Sequence, residues 1–116
     1  MKLRTVYFKV TEMETAKSFW SSYLGQKPTK VLSAWTEFPI GGVRLAFLLD
    51  DKGDSNSVNS CVPVFELSDD QILPFVERAK SLGATVVFDG IDDPTIKSIV
   101  LADPSGNEFE LCTLHQ

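Results

Sequence analysis

Glu110 stands between two large apolar residues, Phe109 and Leu111, in the run Glu108-Phe109-Glu110-Leu111. Alternate side chains of a strand leave on opposite faces, so Glu108 and Glu110 share one face while Phe109 and Leu111 share the other. A carboxylate on such a face requires water, a ligand or a metal as its partner. Burial would also raise its pKa towards neutrality, which makes Glu110 the candidate catalytic group, as a general base. The preceding Asp103-Pro104-Ser105-Gly106-Asn107 is a tight turn: Pro104 fixes φ, Gly106 can take positive φ, and Asp103 and Asn107 can bond local backbone groups.

Other chemistry is excluded by residue type. The single histidine, His115, lies next to the last residue, where fraying is expected rather than ligation. No Ser-His-Asp or Cys-His pair can therefore be assembled. Cys61 and Cys112 have no metal-binding spacing and sit in apolar, strand-like runs, so both are expected as buried free thiols in a reducing compartment. Gly41-Gly42 is a hairpin turn without the strand–loop–helix setting of a phosphate loop. Lys9 and Arg44 are expected as strand-end or surface charges. The net charge of -5 lacks the basic footprint of a duplex nucleic-acid binder. No apolar run approaches the length that spans a bilayer, and no leader-like start is present, so a cytoplasmic location is expected.

With 116 residues the chain holds one small domain or two very small modules sharing a core. Its elements follow from hydrophobic period. Val6, Phe8 and Val10 alternate with polar neighbours as a strand. Thr11-Glu12-Met13-Glu14 has the form of a capping box. Met13, Ala16, Phe19, Trp20, Tyr23 and Leu24 then recur at helical spacing until Gly25. Strands are predicted at about Thr29–Leu32, Ala34–Phe38 and Val43–Leu49. Asp50 to Ser60 is polar and reads as a flexible connector. The order then restarts with a strand at Val62–Leu67 and a second capping box, Ser68 to Gln71. A helical stripe from Ile72 to Leu82 follows, with Pro74 expected within or next to the first turn. Strands at Ala84–Phe88, Lys97–Ala102 and Glu108–Thr113 complete the chain.

The order is therefore βαβββ twice, module 1 over about 1–50 and module 2 over about 61–116, with a linker at about 51–60. Leu24-Gly25 matches Leu82-Gly83, and Thr5 matches Val62 at the first strands. Pro39 precedes Leu45 by the interval that separates Pro104 from Glu110, which pairs Leu45 with Glu110. The fold class is α+β: two such modules form one curved mixed sheet around a concave cavity. Val6, Phe8, Val10, Phe65 and Leu67 are expected to face the helices. Thr5, Tyr7, Val43, Leu45, Phe47, Val62, Val64, Glu108, Glu110 and Cys112 are expected to face the concavity, with the face of Trp35 left open. Trp20 is assigned to packing on its helix.

Val10-x-Glu12-Met13-Glu14-x-Ala16-x-x-Phe19-Trp20-x-x-Tyr23-Leu24-Gly25 and Asp103-Pro104-Ser105-Gly106-Asn107-x-x-Glu110-Leu111 give the chain its likeness. It resembles the vicinal oxygen chelate superfamily, which includes glyoxalase I, bleomycin-resistance proteins, fosfomycin-resistance enzymes and extradiol dioxygenases. The resemblance implies paired modules around a U-shaped cavity, and a homodimer. In metal-dependent members it implies a divalent ion held at strand positions that here correspond to Thr5, Leu45, Val62 and Glu110. Glu110 alone among these coordinates a metal well, whereas a catalytic zinc takes about three protein ligands. No cofactor is predicted, and a divalent metal is disfavoured.

The leading expectation is metal-independent binding of a small, aromatic or cationic organic molecule. Its ligand-binding residues are Tyr7, Trp35, Leu45, Phe47, Val62, Val64, Glu108 and Glu110. Tyr7, Trp35 and Phe47 supply ring surfaces, and Glu110 accepts a hydrogen bond from a ligand ammonium. A divalent-metal-dependent lyase, isomerase or dioxygenase is the alternative, and a non-catalytic interaction protein is the second alternative.

Overall fold

The hydrophobic periods produce the elements they predict. A computed structural model describes residues 1–50 and 61–113. The connector expected from Asp50 lies outside the described residues beyond Asp50 itself, as does His115. The fold is α+β, and the described residues form two helices and eight strands in two βαβββ runs. Contacts divide the chain into two compact units, Thr5–Cys61 and Met1–Arg4 with Val62–Gln116.

The first unit contains β1 (Lys2–Val10) from Thr5 onward, α1 (Met13–Leu24), β2 (Lys30–Val31), β3 (Trp35–Ile40) and β4 (Val43–Leu49). Its strand order is β2-β3-β4-β1, with β1 parallel to β4 and the other pairs antiparallel. The chain remains extended through Glu12 (φ -132°, ψ 98°), so α1 starts one residue later than the capping-box spacing requires. Glu12 occupies the N-cap position and no side chain caps the helix, so the expected Thr11 box does not form. Gly25 ends α1 at φ 68°, a left-handed conformation that favours glycine, and its N–H donates to the Ser21 carbonyl at 3.0 Å. Met13, Phe38 and Phe47 form the core of this unit, with Phe8, Val10, Trp20, Leu45 and Leu49 packed around them.

The second unit contains β5 (Cys61–Leu67) from Val62 onward, α2 (Asp69–Ser81), β6 (Thr85–Gly90), β7 (Ser98–Ala102) and β8 (Glu108–Thr113). Its order is β5-β8-β7-β6, with β5 parallel to β8. Here the capping box forms: the Ser68 N–H donates to Gln71 Oε1 at 3.2 Å. Pro74 sits just beyond the first turn of α2, so the Asp70 carbonyl receives no helical hydrogen bond from it. The Asp103 turn closes as the residue types require. Its Oδ1 accepts from the Ser105 and Asn107 N–H groups, each at 2.9 Å, and Gly106 takes φ 91°. These bonds, Asn107 first, hold the Asp103 carboxyl below its ordinary pKa. Leu67, Ile72, Val76, Ile99, Leu101 and Leu111 form the core between α2 and its strands. β6 ends the strand order, and Val86, Val87 and Phe88 on it are exposed.

Four expectations of side-chain placement need correction. Leu45 and Phe47 pack into the core beneath α1, not on the opposite face, and alternation carries Val43 with them. The alignment that placed them otherwise equated Pro39 with Pro104. Pro104 lies in a turn, whereas Pro39 lies inside β3, so that interval was counted between unlike positions. Cys61 is exposed, at the first residue of β5, while Cys112 is buried as expected.

Candidate functional site

Strand register defines the face of the second unit that lies away from α2. Val64 pairs with Glu110, and Glu110 pairs with Val100 on β7. One step along, Glu66 pairs with Cys112 and Cys112 with Ser98. These side chains, with Val62 and Glu108, point away from the α2 core by the period of two. The face is therefore a valine floor carrying three carboxylates, a hydroxyl and a thiol. Val62, Val64, Cys112, Ser98 and Glu66 are all buried.

The two inner carboxylates are handled differently. Glu66 Oε1 accepts from the Arg4 guanidinium at 2.8 Å, a short charge-assisted contact in a buried setting. Glu110 is instead pushed up to about 6 by burial, and a hydrogen bond from the Ser98 side chain offsets only part of that shift. It can hold or release a proton near neutral pH, or stand as an anion against a cation. Cys112 is pushed up to about 11, chiefly by burial, with Arg4 opposing and Glu110 and Glu66 adding to the rise. Its thiol remains protonated and unreactive at physiological pH.

The first unit carries a different set on the face away from α1. Tyr7 pairs with Ala46 and Ala46 with Glu37, while Trp35 and Arg44 occupy neighbouring rows of the same face. Tyr7 and Trp35 meet edge to face, with centroids 5.3 Å apart and planes at 64°. The Trp35 Nε1–H donates to Glu37 Oε2 at 2.8 Å, and Arg44 Nε lies 3.5 Å from Glu37 Oε1.

The expected residues thus fall into three groups. Val62, Val64, Glu108 and Glu110 share one face of the second unit, and Tyr7 and Trp35 share one face of the first. Leu45 and Phe47 belong to the α1 core. Ser98, Glu66, Arg4 and Glu37 were not anticipated, and Arg44 was read as a surface charge. Alternation in Trp35-Thr36-Glu37 was the signal for Glu37, and alternation back from Val100 was the signal for Ser98.

Of the strand positions that the resemblance assigns to metal ligands, only Thr5 and Glu110 carry a side-chain donor atom. Equating Thr5 with Val62 makes Tyr7 equivalent to Val64, so the parallel registers align Ala46, not Leu45, with Glu110. Val62 and Ala46 carry no donor atom, and a threonine hydroxyl is a poor complement to one carboxylate. Among the described residues, no group of three or more His, Cys, Asp and Glu side chains could hold an ion.

A chain of paired βαβββ modules with such faces has the architecture of the vicinal oxygen chelate superfamily. The model of the glyoxalase-like domain matches residues 5–112, and the chain belongs to that family. Among solved structures it is similar to one described as an NAD-dependent benzaldehyde dehydrogenase from Legionella pneumophila. That match has 14% identity and a TM-score of 0.72, covering 96% of this chain and 98% of that one. A hypothetical protein from Bacillus halodurans has 14% identity and a TM-score of 0.70, with 99% and 95% covered. A protein from Staphylococcus aureus has 10% identity and a TM-score of 0.68, with 99% and 100% covered. At these identities the similarity is one of fold. No curated protein matches the chain. Among the described residues, no helix is long and apolar enough to cross a membrane.

Proposed function

We propose that this glyoxalase-like protein binds a small organic molecule without a metal, and that a cationic or hydrogen-bond-donating group of that molecule pairs with Glu110. One observation carries the reading: Glu110 is a largely buried carboxylate on a valine floor, with the Ser98 hydroxyl donating to it, in contrast to the Arg4-paired Glu66 beside it. Val62, Val64 and Val100 lie buried beneath Glu110, so a ligand meets this face at the half-buried Glu108 and Glu110, where few polar groups converge. A ligand ammonium at Glu110 supplies the charge that favours its ionised form. On the first unit, the half-buried Trp35, held edge to face by the buried Tyr7, offers a ring surface for stacking.

Calorimetric titration with benzylamine and 1-naphthylmethylamine at pH 7.5, with and without chelator, tests this reading. The dissociation constants should be unchanged by chelator, and Glu110→Gln should weaken binding about tenfold or more. Binding that disappears on chelation, or that ignores the loss of Glu110, contradicts the proposal.

A further inference from the structure

Glu37 holds two different side chains in place at once. One oxygen receives the Trp35 indole N–H at 2.8 Å, and the other faces Arg44 Nε at 3.5 Å. The Glu37 side chain is only 13% exposed, whereas that of Arg44 is 42% exposed. A guanidinium has two donor edges, one through Nε and one formed by its two Nη groups. Glu37 lies on the Nε side, and the Nη pair is a second edge whose fork also matches a planar carboxylate. Lys30, paired with Glu37 across β2 and β3, adds positive charge to the same face. The indole is fixed by its hydrogen bond and by Tyr7 at 5.3 Å, so a ring and a cation are held in one prearranged cluster.

We propose that Arg44, Glu37 and Trp35 form a recognition site for a small flat organic carboxylate, whose anion pairs with Arg44 and whose ring lies against Trp35. Arg44 and Trp35 touch the ligand, and Glu37 is the positioning residue that orients both. The site stands on the first unit alone and goes beyond the pairing proposed for Glu110.

Benzoate and benzamide, alike in size and ring and differing in charge, separate the contributions. Titration of the full chain, followed by calorimetry and by the NMR shifts of the Trp35 indole N–H and the Arg44 Nε–H, should show benzoate binding about tenfold more tightly than benzamide. R44M should reduce that ratio to near unity while benzamide binding is retained. R44K keeps a positive charge without the fork and should lose most of the preference. Equal binding of benzoate and benzamide to the native protein, or a preference that survives R44M, overturns the carboxylate site. Equal binding of both to the native protein leaves the ring surface intact; binding of neither removes that surface as well.

Discussion

Thr36 Oγ1 is buried without a hydrogen-bond partner, on a residue with no exposed surface that lies across from Phe47 in register. A hydroxyl held that way loses its water and gains nothing in exchange. Thr36→Val keeps the β-branched shape and removes the polar atom, so it should stabilise the protein by about 1 kcal/mol. A higher urea midpoint at unchanged m would register the gain. Glu110 affects stability through its proton. With its pKa raised from 4.5 to about 6, the folded protein retains a proton over that interval that the unfolded chain has released. Stability therefore falls as pH rises from about 4.5 to 6, by roughly 2 kcal/mol, and the cost is fully present above 6. Glu110→Gln should remove that slope, read as the difference between variant and native urea midpoints across pH 4–8. Binding of an amine at Glu110 should run the other way, strengthening as pH rises through about 6 and the carboxylate ionises.

The two helices of the repeat begin differently. α2 is capped by Ser68, whereas α1 starts at Met13 behind a Glu12 that offers no side-chain cap. Ser68→Ala should cost about 1 kcal/mol, while Thr11→Ala, which removes the same residue type from a matching sequence pattern, should cost almost nothing. Thermal melts of the two variants side by side make the comparison. Val43–Leu49 and Glu108–Thr113 were legible from period and turn residues to the final residue, because strand alternation and Gly or Asp-Pro turns are local signals. The face of Leu45 and Phe47 was not legible in the same way. A strand's two faces exchange when its register slips by one residue, and Leu45-Ala46-Phe47 is apolar throughout. The face of Glu110 was legible because a single carboxylate between Phe109 and Leu111 breaks that ambiguity. Glu37 was missed although it sits in a similar alternation, because its partners Trp35 and Arg44 are drawn from rows that only the β3–β4 pairing brings together.

Chain order and structural membership do not coincide across the molecule. Met1–Arg4 belongs with the unit built mainly from Val62 onward, although 57 residues separate Arg4 from Val62 in the residue range Thr5–Cys61. The Arg4–Glu66 ion pair links those segments at 2.8 Å, with Glu66 buried and Arg4 about one-fifth exposed. Removing the cation leaves a buried carboxylate without its partner, so Arg4→Met should destabilise by about 2 kcal/mol, less than a fully buried pair because Arg4 retains some solvent. The double change Arg4→Met with Glu66→Met should recover most of that loss, and a thermodynamic cycle on the four proteins measures the coupling. The unequal fates of the two thiols have a practical consequence. Cys61 is open to solvent at the start of β5, whereas Cys112 is enclosed and its thiol pushed up to about 11. Partial burial raises the Cys61 thiol as well, so a maleimide dye at mildly alkaline pH should react at that one position per folded chain, giving the native sequence its own site-selective optical reporter on the strand that carries Val62 and Val64.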